Sequence, residues 1–110
     1  MLETETPGLR PTILVIDDEA AIRRLLKSCL DSDEFKLIEA STAEEGIDQI
    51  AKRNPDLVLL DLGLPDEDGR QVIETVRGWS QVPIIILSGR GQEEIKVKCL
   101  EAGADDYVTK

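Results

Sequence analysis

Two short apolar runs in this chain end abruptly in carboxylates. Residues 12–16 read Thr-Ile-Leu-Val-Ile and stop at Asp17, Asp18 and Glu19; residues 57–60 read Leu-Val-Leu-Leu and stop at Asp61. Each run is too short for a helix and reads as a strand buried on both faces, as in a parallel sheet. Between them the spacing turns helical: Ile22, Leu25, Leu26, Cys29 and Leu30 define one apolar face. A turn over 31–34 leads to a weaker second strand, 35–40, near a sheet edge. The next helix covers 41–52, where Ser41 with Glu44, or Thr42 with Glu45, fits a capping box. Asn54 and Pro55 end it. After Asp61, Pro65 stops regular structure, and Gly69 permits a tight entry into a helix from about 70 to 78 carrying Val72, Ile73 and Val76. Residues 83–87 form a fourth strand, with Pro83 tolerable at its first position. Ser88, Gly89, Arg90 and Gly91 form a flexible loop. A helix then runs to about Ala102 and stops at Gly103. Its stripe of Ile95, Val97, Cys99 and Leu100 is ragged, which predicts weak anchoring. Residues 105–110 supply a fifth strand. Strand and helix alternate throughout, the signature of an α/β protein with a parallel sheet and right-handed crossovers. Residues 1–11, with Pro7, Gly8 and Pro11, read as a flexible leader, and 12–110 as one domain.

Size and composition narrow the function. A chain of 110 residues builds one core without staples. Its 23 acidic and 13 basic residues give a net charge of -10. That argues against direct nucleic-acid binding, which draws its affinity from Lys and Arg on phosphates. It favours cations and positively charged partners. The absence of His excludes His-based catalysis and His ligation. Cys29 and Cys99 follow no metal-like spacing and read as reduced, mostly buried thiols not joined to each other. No stretch reads as a signal peptide or a membrane span, so the expected compartment is the cytoplasm.

In a parallel sheet the residues that follow each strand share one rim. Here these are Asp17 and Asp18, Asp61, Ser88 and Lys110. In a 2-1-3-4-5 order the first and third strands are neighbours, and the topological switch point, where ligands bind, lies between them. With strands about 4.8 Å apart, the three Asp side chains come within a few ångströms of each other. Lys110 starts about two spacings from the third strand and its side chain spans much of that gap. Two carboxylates about 4 Å apart repel by about 4 kcal/mol at an effective dielectric near 20. A hard divalent cation relieves this, and two or three carboxylates plus waters suit Mg²⁺ better than a full Ca²⁺ cage. A carboxylate nucleophile, a metal, a hydroxyl and an ammonium together suit acceptance of a phosphoryl group onto Asp61.

These residues stand in a familiar order. The acidic pair Asp17-Asp18, the stretch from Asp61 through Pro65 to Gly69, Ser88 followed by Gly89, and Gly103-Ala-Asp-Asp-Tyr107-Val-Thr-Lys110 resemble the receiver domain of two-component response regulators. The wording around Asp61, with Arg77-Gly-Trp-Ser and Val82-Pro-Ile-Ile-Ile-Leu-Ser, is similar to members whose output is a winged-helix DNA-binding domain. The resemblance implies a doubly wound, flavodoxin-like, five-stranded sheet. It implies a signalling phosphoacceptor rather than an enzyme, with Asp61 receiving phosphate from a sensor histidine kinase. Asp18, Asp61 and the backbone carbonyl of Gly63 would ligate Mg²⁺, and Asp17 would hold a metal-bound water. Ser88 and Lys110 would contact the phosphoryl oxygens. Ser88 moving toward the phosphate would let Tyr107 turn inward and alter the face of the fourth helix and fifth strand. That face would act on the protein's own effector domain or on another receiver. The family also carries a fifth helix after this Lys. A chain without it is expected to expose apolar strand surface and to associate with itself or a partner.

Plainer readings compete. Asp17 and Asp18 could cap the first helix. Ser88 could be a turn residue, Tyr107 simple packing, Trp79 a structural plug, and Asp66, Glu67 and Asp68 a solvated acidic loop. Two other functions compete as well. A haloacid-dehalogenase-like phosphohydrolase also uses an Asp nucleophile, but within Asp-x-Asp, whereas Asp61 is followed by Leu62 and Gly63. A phosphate-independent interaction domain would not need the set Asp17, Asp18, Asp61, Ser88 and Lys110.

Overall fold

Two apolar clusters, one on each side of a sheet, organise the computed structural model, which describes residues 10–89 and 93–110. Residues 1–9 of the expected leader, and Arg90 and Gly91 of the expected loop, lie outside the described residues. The elements in chain order are β1 (Thr12–Ile16), α1 (Ala20–Leu30), β2 (Lys36–Ala40), α2 (Ala43–Arg53), β3 (Leu57–Asp61), α3 (Gly69–Arg77), β4 (Ile84–Ser88), α4 (Glu93–Ala102) and β5 (Asp106–Thr109). All strand pairs are parallel, in the order β2-β1-β3-β4-β5. This is the doubly wound order expected from the alternation.

Alternate strand residues feed alternate faces. Leu14, Ile16, Val58, Leu60, Ile84 and Ile86 pack with Ala43 and Ile50 of α2, Val72, Ile73 and Val76 of α3, and Cys99 of α4. Ile13, Val15, Leu37, Leu59 and Leu87 face the other way, with Leu26 and Leu30 of α1 against them. Three helices therefore cover one face and one helix covers the other. On the first face α2 comes very close: a Cβ added at Gly46 would sit 2.4 Å from Ile16 Cδ1.

Caps explain where the helices begin. Thr42 Oγ1 accepts from the Glu45 amide, as in the second of the two expected boxes, while the Glu45 carboxylate reaches one residue past the cap and accepts from the Ser41 amide. Asn54, left-handed at φ 46, ends α2. The reading of residues 66–68 as a merely solvated loop is corrected. Asp68 caps α3 through the Gln71 amide. Asp66 accepts from the Ala43 and Glu44 amides, closing the start of α2 from 22 or more residues away. Those amides hold the Asp66 carboxyl below its ordinary range.

Two further expectations fail. Cys29 is exposed, not buried, and Leu25 beside it on α1 is 58% exposed, because no described residue covers that flank of the helix. Trp79, expected as a plug, is 50% exposed, since the turn after α3 points it outward. Cys99 is buried as expected; both thiols are free, and burial raises the pKa of Cys99 above its ordinary value. The weak anchoring of α4 holds, with Cys99 its one buried residue among those described.

Candidate functional site

Among the described residues the buried polar or charged side chains are Asp17, Asp61 and Ser88, and all three stand on one rim. The register accounts for this. Ile16 pairs with Leu60, so Asp17 follows β1 beside Asp61, the last residue of β3. Asp61 pairs with Leu87 of β4, and Ser88 pairs with Thr109 of β5. Lys110 follows directly, and its amide donates to the Ser88 carbonyl at 2.7 Å.

The ammonium of Lys110 crosses the rim. Its Nζ lies 2.9 Å from Asp61 Oδ1, 3.1 Å from Asp17 Oδ2 and 3.0 Å from Glu19 Oε1. Burial alone would lower its pKa. The carboxylates of Asp61, Glu19 and Asp17 around it more than offset that, and the group is held above its ordinary range. It is therefore charged across the neutral range. Glu19 is a contact that the strand pattern did not single out, although it directly follows the acidic pair.

Asp17 does not act as a helix cap. The N-cap of α1 is Glu19, with no side-chain cap bond. Asp17 Oδ1 accepts from the Glu19 amide at 2.9 Å. Its Oδ2 is buried, meets Lys110 as an ion pair and receives no well-directed hydrogen bond. Asp18 is exposed, yet Asp17, Asp18 and Asp61 each offer a carboxylate oxygen, and these atoms lie within 4.8 Å of one another. An oxygen-only, mostly buried set with one under-used oxygen fits a hard divalent cation. The ammonium of Lys110 supplies part of the charge such a cation would bring. Gly63 lies beside the set, exposed, where an added Cβ would be 3.9 Å from Asp61 Oδ2. The Ser88 hydroxyl is fully buried and has no hydrogen-bond partner. Tyr107 sits apart: it is 42% exposed, with Lys96 Nζ 4.5 Å from its ring centroid.

Fold and rim together define an open α/β protein with an acidic pocket at its topological switch point. Comparison with known proteins narrows that class. A family profile described as "Response regulator receiver domain" matches residues 13–110. The KDP operon transcriptional regulatory protein KdpE of Escherichia coli is 49% identical over 98 residues, which are 89% of this chain and 44% of that protein. The transcriptional regulatory protein SrrA of Staphylococcus aureus is 45% identical, over 89% of this chain and 41% of its own length. Among solved structures, a CheY-like response regulator receiver domain protein from Methanospirillum hungatei JF-1 superposes with a TM-score of 0.84 at 32% identity, covering 92% of this chain and 82% of that one. The chain belongs to the response regulator receiver domain family. It spans less than half the length of the curated relatives it matches. Among the described residues no helix is long and apolar enough to cross a membrane.

Proposed function

We propose that residues 12–110 act as the phosphoacceptor module of a two-component regulator, with residues 1–11 leading into it. A sensor histidine kinase is the donor. A carboxylate oxygen of Asp61 attacks the phosphorus of a phosphohistidine. The P–N bond breaks, the imidazole nitrogen keeps the electron pair and takes up a proton, and an aspartyl phosphate remains on Asp61. The observation that carries this reading is the single ammonium of Lys110 lying between two buried carboxylates, Asp61 and Asp17, in a pocket whose neighbouring hydroxyl, Ser88, has no partner.

The roles divide among the rim residues. Asp18, Asp61 and the Gly63 carbonyl would hold Mg²⁺, with Asp17 as the third carboxylate beside it. Bound there, Mg²⁺ supplies positive charge against the transferring phosphoryl oxygens. Lys110 neutralises another oxygen, already placed and charged. Ser88, its hydroxyl free to donate, turns toward the phosphoryl group. Tyr107 leaves Lys96 and moves inward, which alters the face of α4 and β5. This is a population shift driven by contacts available only after transfer. Catalysis of other substrates has no part in this reading; the chain is a signalling acceptor, working in the cytoplasm. Its net charge of -10 turns it away from nucleic acid, so the output passes to its own effector domain or to another receiver.

Acetyl phosphate with Mg²⁺ tests the acceptor. Intact mass should rise by one phosphate that is alkali-labile, and Asp61→Asn should abolish the rise. Turnover of many unrelated phosphate esters would instead indicate a hydrolase. Millimolar Mg²⁺ should also raise the melting temperature, because it relieves repulsion present only in the folded state. An unmoved transition would refute the metal assignment.

A further inference from the structure

The peptide that joins the two acids is gripped from α1. Arg23 Nη1 donates to the Asp17 carbonyl at 2.7 Å, and Arg23 Nε donates to Glu39 Oε1 at 3.1 Å. The guanidinium side chain is only 19% exposed. Glu39 stands on β2 opposite Val15, and Lys27 of α1 approaches its other oxygen at 3.9 Å. The Asp17 amide donates to the Ala40 carbonyl at 3.0 Å. Strand β2 thus holds the Asp17 amide directly and the Asp17 carbonyl by way of Arg23.

That carbonyl and the Asp18 N–H belong to one planar unit. Setting the oxygen sets the plane, and the plane sets the direction in which each acidic side chain leaves the backbone. Asp18 is exposed, so backbone geometry largely decides where its carboxylate begins. A planar fork suits this grip because it bonds a carbonyl and a carboxylate at once, which an ammonium cannot do in the same geometry.

We propose that Arg23, oriented by Glu39, is a positioning residue for the acidic pair. It holds the Asp17–Asp18 peptide so that both carboxylates face the cation before it arrives. The inference rests on the Mg²⁺ reading above. Its sign is diagnostic. As a bare positive charge near three carboxylates, Arg23 would oppose a cation, and its removal would tighten binding. As a positioning group, its removal loosens binding. Partners of this outer kind typically contribute 10–100-fold to metal affinity.

The test is calorimetric titration of the chain with MgCl₂, together with amide hydrogen exchange at Asp17 in metal-free protein. Arg23→Lys keeps the charge and loses the fork, Arg23→Met loses both, and Glu39→Gln removes the orienting charge. Arg23→Lys and Arg23→Met should each weaken Mg²⁺ binding by about tenfold, Glu39→Gln by less. Exchange at the Asp17 amide should quicken in both Arg23 variants. Unchanged affinity in Arg23→Lys, or tighter binding in Arg23→Met, overturns the positioning role alone. If Arg23→Met does not fold, Arg23→Lys and Glu39→Gln still decide. Absence of saturable uptake by the unaltered chain overturns the metal assignment itself, and the positioning role with it.

Discussion

The two halves of the rim are built differently. On the β1–β3 side Asp17 is held by its amide, its carbonyl and one carboxylate oxygen, and Asp61 closes a strand buried along most of its length. On the β4–β5 side the Ser88 hydroxyl has no partner, all four residues of β5 are exposed, and α4 buries only Cys99 among its described residues. The first half is preorganised and the second is loosely held. A group that receives charge gains from rigidity, since nothing need reorganise at the moment of transfer. A surface that must report the event gains from weak local stability.

Matched truncations would break or sharpen that contrast. The largest effect is expected from Leu60→Ala, which empties a fully buried position next to Asp61 and should destabilise by about 2–5 kcal/mol in denaturant unfolding. Gly46→Ala forces a methyl against the buried Ile16, the residue before Asp17, and should cost about 1–3 kcal/mol in the same measurement. Asp66→Asn should lower the melting temperature at neutral pH. The folded-state pKa of Asp66 is depressed, so its contribution is present above the ordinary value of 3.8 and lost as pH falls through the folded value. The gap between Asp66→Asn and the unaltered chain should therefore close in strong acid. Lys96→Ala removes the cation over Tyr107 and should cost about 0.5–1 kcal/mol, seen as faster exchange in β5. Val108→Ala, on the exposed edge strand, should stay within about 0.5 kcal/mol. A Val108 effect as large as that of Leu60 would erase the contrast between the halves.

The legible parts of this fold are those where pattern alone decides. Strands β1 and β3 announce themselves because an apolar run meets a charge, and alternation then orders the sheet and brings Asp17, Asp18 and Asp61 to one end. The bond from Asp66 to the start of α2 was invisible, because it links residues 22 or more apart and leaves no local trace. Leu25 and Cys29 sit on an apolar helical face, but periodicity says which way a side chain points relative to its helix, not what lies opposite. Strand order puts Lys110 on the rim, but a Lys after a short strand is usually just solvated, and the resemblance was needed to single it out. Arg23 had no signal of its own, since its partners are a backbone carbonyl and a carboxylate 16 residues away on another element.

The ladder bond from the Lys110 amide to the Ser88 carbonyl gives the edge of the sheet a clasp. Peeling β5 away from β4 would drag the ammonium out of its nest and leave the acids facing one another. Fraying at this margin therefore carries an ionic penalty in addition to lost backbone pairing. Because the two carboxylates are buried, salt screens that penalty much less than it would at an exposed pair, and the outermost strand should keep most of its hold in brine.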